Sequence, residues 1–172
     1  MSRFQTTCIL VALCMLIISC GRQSPQLPSN KGNSIDKNAV SLLAINENLA
    51  KKEDAYLKKI ALQKDKSFKK SEIGFWYSID KLQNGVQLKD SVNCRFKYTL
   101  FSLNGKQLKN EEKQIVIGKK QVVVGLEEGL KLMKKGENAT FIIPWYLAFG
   151  MKGDEPLIPP YTSLIYKVIV FN

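Results

Sequence analysis

The chain contains no histidine. Triads built on Ser-His or Cys-His are therefore excluded, as are histidine-based metal sites. Four cysteines stand at positions 8, 14, 20 and 94. Three of them crowd the N-terminus, and Cys94 lies in an alternating apolar pattern that suits a small core residue. Neither a disulfide framework nor a metal cluster follows from that spacing. The segment that asks for a functional explanation carries no nucleophile at all. It is PWYLAFGMKGDEPLIPPY, residues 144–161, with four prolines and two glycines. Such a stretch is neither a long helix nor a central strand. Loops run over surfaces, yet this one carries Trp145, Tyr146, Leu147, Phe149, Met151, Leu157, Ile158 and Tyr161.

The elements around that loop can be read from periodicity. Residues 1–19 have the form of an export signal: a basic start at Arg3, an apolar run from Ile9 to Ile18, and Ser19 before Cys20. The run is short of the ~20 apolar residues that span a bilayer. Leu16-Ile17-Ile18-Ser19-Cys20 resembles a bacterial lipobox, which implies cleavage before Cys20 and acyl chains on that residue. An uncleaved anchor and an ordinary cleaved signal are the competing readings. Residues 20–35 are polar and rich in Pro, Gly, Ser and Asn, and read as a flexible tether with a reach of roughly 20 Å.

Residues 36–66 read as an amphipathic helix. Leu42, Ile45, Leu49, Tyr56 and Ile60 fall on one stripe, which Lys51-Lys52-Glu53-Asp54 interrupts. The helix can pack on the domain, pair with a second copy or an envelope partner, or rest on a membrane. The broken stripe predicts that it is separable and that residues 72–172 fold alone.

From residue 72 the period becomes two. Gly74–Ile79, Val92–Leu100, Gln114–Ile117, Val122–Val124, Ala139–Ile143 and Leu164–Val170 are the predicted strands, and Asn104-Gly105 is a hairpin turn. One helix interrupts them, from Leu126 toward Gly136. Leu126, Leu130 and Met133 share its face, its glutamates lie in the first turn, and Gly136 is the predicted stop. The fold class is α+β: an antiparallel curved sheet around one short helix, preceded by the amphipathic helix.

The formal charge is +11, from 26 basic and 15 acidic residues. An anionic membrane surface or wall polymer is one possible partner. The lysines are scattered, however, and no arginine-aromatic platform of the nucleic-acid type occurs. A solvated basic surface is the simpler reading, and nucleic acid is not an expected partner.

Five stretches, in order, carry a family resemblance: Val124-Gly125-Leu126-Glu127-Glu128-Gly129-Leu130-Lys131-Leu132-Met133, Gly136 to Pro144, Leu147-Ala148-Phe149-Gly150, Ile158-Pro159-Pro160, and Leu164 to Val168. Together they resemble an FKBP-type peptidyl-prolyl cis-trans isomerase domain over roughly residues 72–172. With the lipobox and the N-terminal helix, the chain is also similar to the gliding-motility-associated FKBP lipoproteins.

The resemblance implies that loop 144–161 overhangs an apolar pocket that takes a proline ring. It implies a lipid-anchored isomerase, facing the periplasm of a bacterial envelope, that acts on proline-containing polypeptides of exported proteins without cofactor or metal. The other function it allows is an FKBP-fold binding or chaperone module of a gliding or secretion assembly. The implied catalytic residues are Val123 through its backbone N–H, Phe149 and Tyr98. The implied substrate-binding residues are Tyr98, Leu108, Val122, Val123, Leu126, Phe149, Ile158 and Tyr166.

The chain also departs from the family pattern. Leu126 stands where a tryptophan is usual, Leu108 for a phenylalanine, Lys109 for a ligand-bonding aspartate and Phe149 for a tyrosine. Lys113 falls near another usual aromatic, and the flap between Leu108 and Ile115 is short. The expectation is an apolar pocket that has lost two polar handles.

Cys20 is expected to be the mature, acylated N-terminus. Cys20→Ala should release the protein from the envelope on mild washing. Intact mass spectrometry of the natural protein should show acyl chains on Cys20; a bare thiol there contradicts the reading.

Overall fold

The computed structural model describes residues 37–65, 67–81 and 84–172, without the side chains of residues 37–43 and Lys81. The signal, Cys20 and the tether lie outside the described residues. The chain divides into two compact units, Met1–Val40 and Ser41–Asn172. In the first unit only residues 37–40, the start of one helix, are described.

In chain order the elements are helix α1 (Lys37–Lys64), strands β1 (Lys69–Lys70), β2 (Trp76–Lys81), β3 (Asn93–Ser102) and β4 (Gln107–Val116), helix α2 (Val124–Lys131), strand β5 (Asn138–Ile143), a 3-10 turn (Trp145–Leu147) and strand β6 (Leu164–Val170). One six-stranded sheet runs in the order β1-β2-β5-β6-β3-β4. Every pairing in it is antiparallel.

The fold class agrees with the sequence reading, but three local expectations give way. Residues 122–124 are not a strand: Val123 is extended and caps α2, its carbonyl accepting the N–H groups of Leu126 and Glu127. The strand expected over Gln114–Ile117 is longer, running from Gln107 to Val116 and taking in the flap. β4 pairs with β3 from Asn93↔Val116 to Phe101↔Gln107, and the Asn104-Gly105 turn joins them as expected. Finally, α2 ends at Lys131 rather than at Gly136. Its last turn closes when Leu132 and Met133 donate to Gly129 and Leu130.

The main core lies between one sheet face and α2. Phe96, Tyr98, Phe141, Ile143, Tyr166 and Val168 meet Leu126, Leu130 and Met133 there. Side chains alternate along a strand, so Trp76, Ile142 and Ile165 point the other way. They form a second core with Leu57 and Ala61 of α1 and with Phe68. Both sheet faces are thus covered at this point, which explains the unbroken apolar triplets Phe141-Ile142-Ile143 and Leu164-Ile165-Tyr166.

The C-terminal half of α1 is therefore part of the sheet's packing. Polar contacts add to it: Lys70 pairs with Asp54 at 2.9 Å, and Ser163 donates to Glu53. A boundary at residue 72 would also remove β1, which pairs with Trp76 and Tyr77. The N-terminal half differs, because Ile45 and Leu49 are exposed.

The second core can be tested by truncation of one side chain. Leu57 is fully buried, so Leu57→Ala should cost about 2–4 kcal/mol in urea unfolding. Ile45→Ala should stay within about 0.5 kcal/mol. Equal, small effects would mean that α1 does not pack on the sheet in solution.

Candidate active site

The cavity between α2, the sheet and loop 144–161 is built by four separate devices. The first is the fit of α2. A Cβ on Gly125 would lie 2.4 Å from Ile143 Cγ2, and one on Gly129 would lie 2.8 Å from Phe141 Cε1. Only glycine lets α2 approach β5 this closely, and that approach sets Leu126 on the cavity floor.

The second device is Glu127, a buried carboxylate in the first turn of α2. Sequence reading assigns it to the helix dipole. Its Oε1 instead accepts the N–H groups of Gly118 at 2.9 Å and Lys120 at 3.1 Å. Both residues have positive φ, 87° and 53°. Glu127 thereby folds segment 118–123 against the helix and holds Val122 and Val123 at the rim. The Val123 N–H makes no hydrogen bond among the described residues.

Third, the loop fastens itself. Gly150 N–H donates to Trp145 O, Tyr161 N–H to Gly150 O, and Asp154 and Ile158 bond each other reciprocally at 2.8 and 2.9 Å. Its apolar residues then divide into two groups. Leu147, Ala148, Phe149 and Ile158 pack against the main core. Trp145 and Tyr161 stack edge to face, centroids 5.0 Å apart, and line a groove with Leu49, Lys52, Glu53 and Tyr56 of α1. Only part of the loop is cavity wall.

The cavity itself has a volume of about 330 Å³, within the range of small-ligand sites. Among the expected site residues, Tyr98, Val122, Val123, Leu126, Phe149, Ile158 and Tyr166 line it. Leu108 is not a lining residue; it packs, half-buried, against the core beside it. Sequence reasoning did not single out Leu100, Lys120, Gln121 or Asp154, which line it as well.

The fourth device is polar. Tyr98 sits directly opposite Glu111 across the β3–β4 ladder, and its hydroxyl donates to Glu111 Oε2 at 2.5 Å. Lys109 Nζ lies 2.8 Å and Lys113 Nζ 3.8 Å from the same oxygen. These contacts, Lys109 and Tyr98 foremost, hold the Glu111 carboxyl below its usual range. Burial, reinforced by Glu111, pushes the Tyr98 phenol well above its ordinary value. Burial does the same to Tyr166, with Asp154 adding to it. Both phenols are therefore neutral donors throughout the physiological range.

At Lys109 the expectation is a lost polar handle. A carboxylate stands two residues further along β4, and Lys109 orients it. The period-2 alternation Lys109, Glu111, Lys113 carries this signal once the segment is read as a strand. Lys109→Asp would bring two carboxylates together on this face of β4.

Known proteins agree with this architecture. The sequence profile of the FKBP-type peptidyl-prolyl cis-trans isomerases matches residues 83–171. The chain belongs to that family. It is 30% identical over 131 residues to a probable FKBP-type isomerase of Haemophilus influenzae, covering 73% of this chain and 54% of that one. It is 33% identical over 108 residues to FkpA of Escherichia coli K12, covering 61% and 40%. The chain spans about half the length of the curated relatives it matches.

Among solved FKBP structures, the N-terminal domain of FKBP42 from Arabidopsis thaliana superposes with a TM-score of 0.58 at 26% identity, over 63% of this chain and 92% of that one. The crystal structure of Escherichia coli FkpA superposes with a TM-score of 0.61 over 100% and 82% of the two chains. Its 24% identity makes that likeness one of fold. In this FKBP domain, then, seven of the eight expected pocket residues, all but Leu108, line one cavity, and an acid from β4 supports its tyrosine Tyr98.

Glu111 predicts a pH effect with a defined sign. Its folded pKa is depressed from 4.5, so the unfolded state binds more protons in the acid range and stability rises with pH there. The contribution is full above about pH 4.5 and is lost as pH falls through the folded value. The urea midpoint of Glu111→Gln should lack this rise. Parallel pH profiles for the variant and the natural protein would contradict the assignment.

Proposed function

We propose that the chain is a peptidyl-prolyl cis-trans isomerase acting on X-Pro bonds of exported proteins, held to a bacterial envelope by lipid on Cys20 and facing the periplasm. One observation carries the enzymatic part. A single cavity collects Tyr98, Val122, Val123, Leu126, Phe149, Ile158 and Tyr166, with an unbonded N–H on Val123 at its rim.

The chemistry needs no nucleophile. Rotation about X-Pro has a barrier of about 18–20 kcal/mol, because amide resonance resists twisting. In the twisted state that resonance is lost and the carbonyl is less polar. An apolar wall of Leu126, Ile158 and the rings of Tyr98 and Tyr166 favours that state over the planar one. The two tyrosine rings lie 5.5 Å apart at 45° and present a shaped surface to the proline ring. Val123 N–H can donate to the carbonyl before proline and fix the segment's direction. Glu111 keeps the Tyr98 ring in place.

The envelope part rests on the lipobox resemblance and the tether. No described helix is long and apolar enough to cross a membrane, so lipid would supply the attachment; several acyl chains hold stably at ~0.8 kcal/mol per buried CH₂. A second reading, a binding module joining a second copy or an envelope partner through α1, draws on the exposed Ile45, Leu49 and Tyr56.

A proline-peptide isomerisation assay on the full chain separates the two readings. Ala-Leu-Pro-Phe-type peptides should isomerise faster with the protein. Phe149→Tyr adds a hydroxyl beside the cavity; one net hydrogen bond of ~0.5–1.5 kcal/mol raises kcat/KM a few-fold. No acceleration by well-folded natural protein would reject the isomerase and leave the binding module.

A further inference from the structure

The charged residues at the cavity are unlike its apolar floor. Lys109, Glu111 and Lys113 occupy alternate positions of β4, so they share a face. One carboxylate oxygen, Glu111 Oε2, serves both ammoniums and the Tyr98 hydroxyl. That oxygen cannot neutralise two lysines. Lys120 joins them from the opposite end of the segment that Glu127 folds, and it makes no ion pair among the described residues. Among the lining residues proper, three lysines face a single acid, Asp154 on the loop side. Counting Glu111, three positive charges meet two negative ones at the mouth; a third carboxylate, Glu127, is buried behind the rim with Oε1 taken up by the Gly118 and Lys120 N–H groups, so the exposed charge that faces an entering segment is net positive. The protein as a whole reinforces it at +11.

We infer that Lys109, Lys113 and Lys120 make this site select proline segments that carry a carboxylate side chain immediately before the proline. The inference rests on the isomerase reading for its substrate and adds the substrate's chemical class. A segment entering the cavity with its proline toward Leu126 leaves the preceding residue at the mouth. There a neutral side chain gains nothing from the ammoniums, a carboxylate is attracted and a lysine is repelled. A cleft with apolar walls strengthens this difference, because field lines concentrate where solvent is thin. Glu127 fixes the backbone that carries Lys120, so this ammonium is rooted at the rim rather than on a free loop.

The test uses the full chain and three peptides identical except for Glu, Gln or Lys before the proline. Both kcat/KM and Kd are measured. Glu should exceed Gln about fivefold at low salt, the upper range for a partly exposed ion pair, and Lys should fall below Gln. Salt at about 0.5 M should bring the Glu-to-Gln ratio below about twofold. Lys113→Gln/Lys120→Gln should do the same without added salt. A ratio near one in both kcat/KM and Kd overturns the inference, whether or not the peptides turn over. So does a preference that salt leaves untouched. Tighter, salt-sensitive binding of the Glu peptide with no turnover supports the lysine selectivity while rejecting the isomerase.

Discussion

The closeness of α2 to the sheet is the constraint on which the rest of the structure depends. Gly125 and Gly129 are four residues apart and so lie on one helical face. A methyl group at either would collide with Ile143 or Phe141. Because the helix sits that deep, Leu126 becomes a floor, and Glu127 lies near enough to gather the backbone of residues 118 and 120. Val122 and Val123 are then held at the rim. A helix even slightly further out would fill the cavity's place with loosely packed side chains and release that segment. Two absent side chains therefore shape the site more than any residue lining it.

The sheet transmits a second constraint, since two of its central strands are apolar on both faces. α1 covers the second face with Leu57 and Ala61. It also reaches loop 144–161 through a short relay: Trp145 N–H donates to Ser163 Oγ at 2.9 Å, and Ser163 donates to Glu53. The loop that walls the cavity is thus fastened to α1 near both its ends. This bears on function because a loop already ordered loses less entropy when a peptide binds beneath it.

Much of this is legible in the sequence, where local pattern and tertiary environment agree. Alternation along Val92–Leu100 and Leu164–Val170 marks half-buried strands, and Asn104-Gly105 marks the turn between β3 and β4. The apolar loop between prolines marks the site. Legibility fails where long-range contacts decide. Val122–Val124 has the β-branched composition of a strand, yet Glu127 bends the segment before it into positive φ. Gln107–Val116 is so polar that its period-2 pattern reads as a loop over most of its length, and Glu111 is hidden with it. The stripe of α1 looks broken at Lys51–Asp54 because Glu53 and Asp54 are polar contacts of the packed face. The departures at Leu108, Lys109 and Phe149 are visible in the sequence, but only the cross-strand register shows that Glu111 faces Tyr98 and accepts its hydroxyl.

An isomerase at this site requires that the cavity above Leu126 take the proline ring and let its peptide bond turn. Exchange-sensitive NMR with the isotope-labelled full chain and a Leu-Pro peptide tests it in one experiment. Titration should shift the Val123 amide and the Leu126 and Ile158 methyls and bring up cis–trans exchange peaks in the peptide that are absent without protein. Shifts confined to Leu49, Tyr56, Trp145 and Tyr161, or binding at the cavity without exchange peaks, would contradict it.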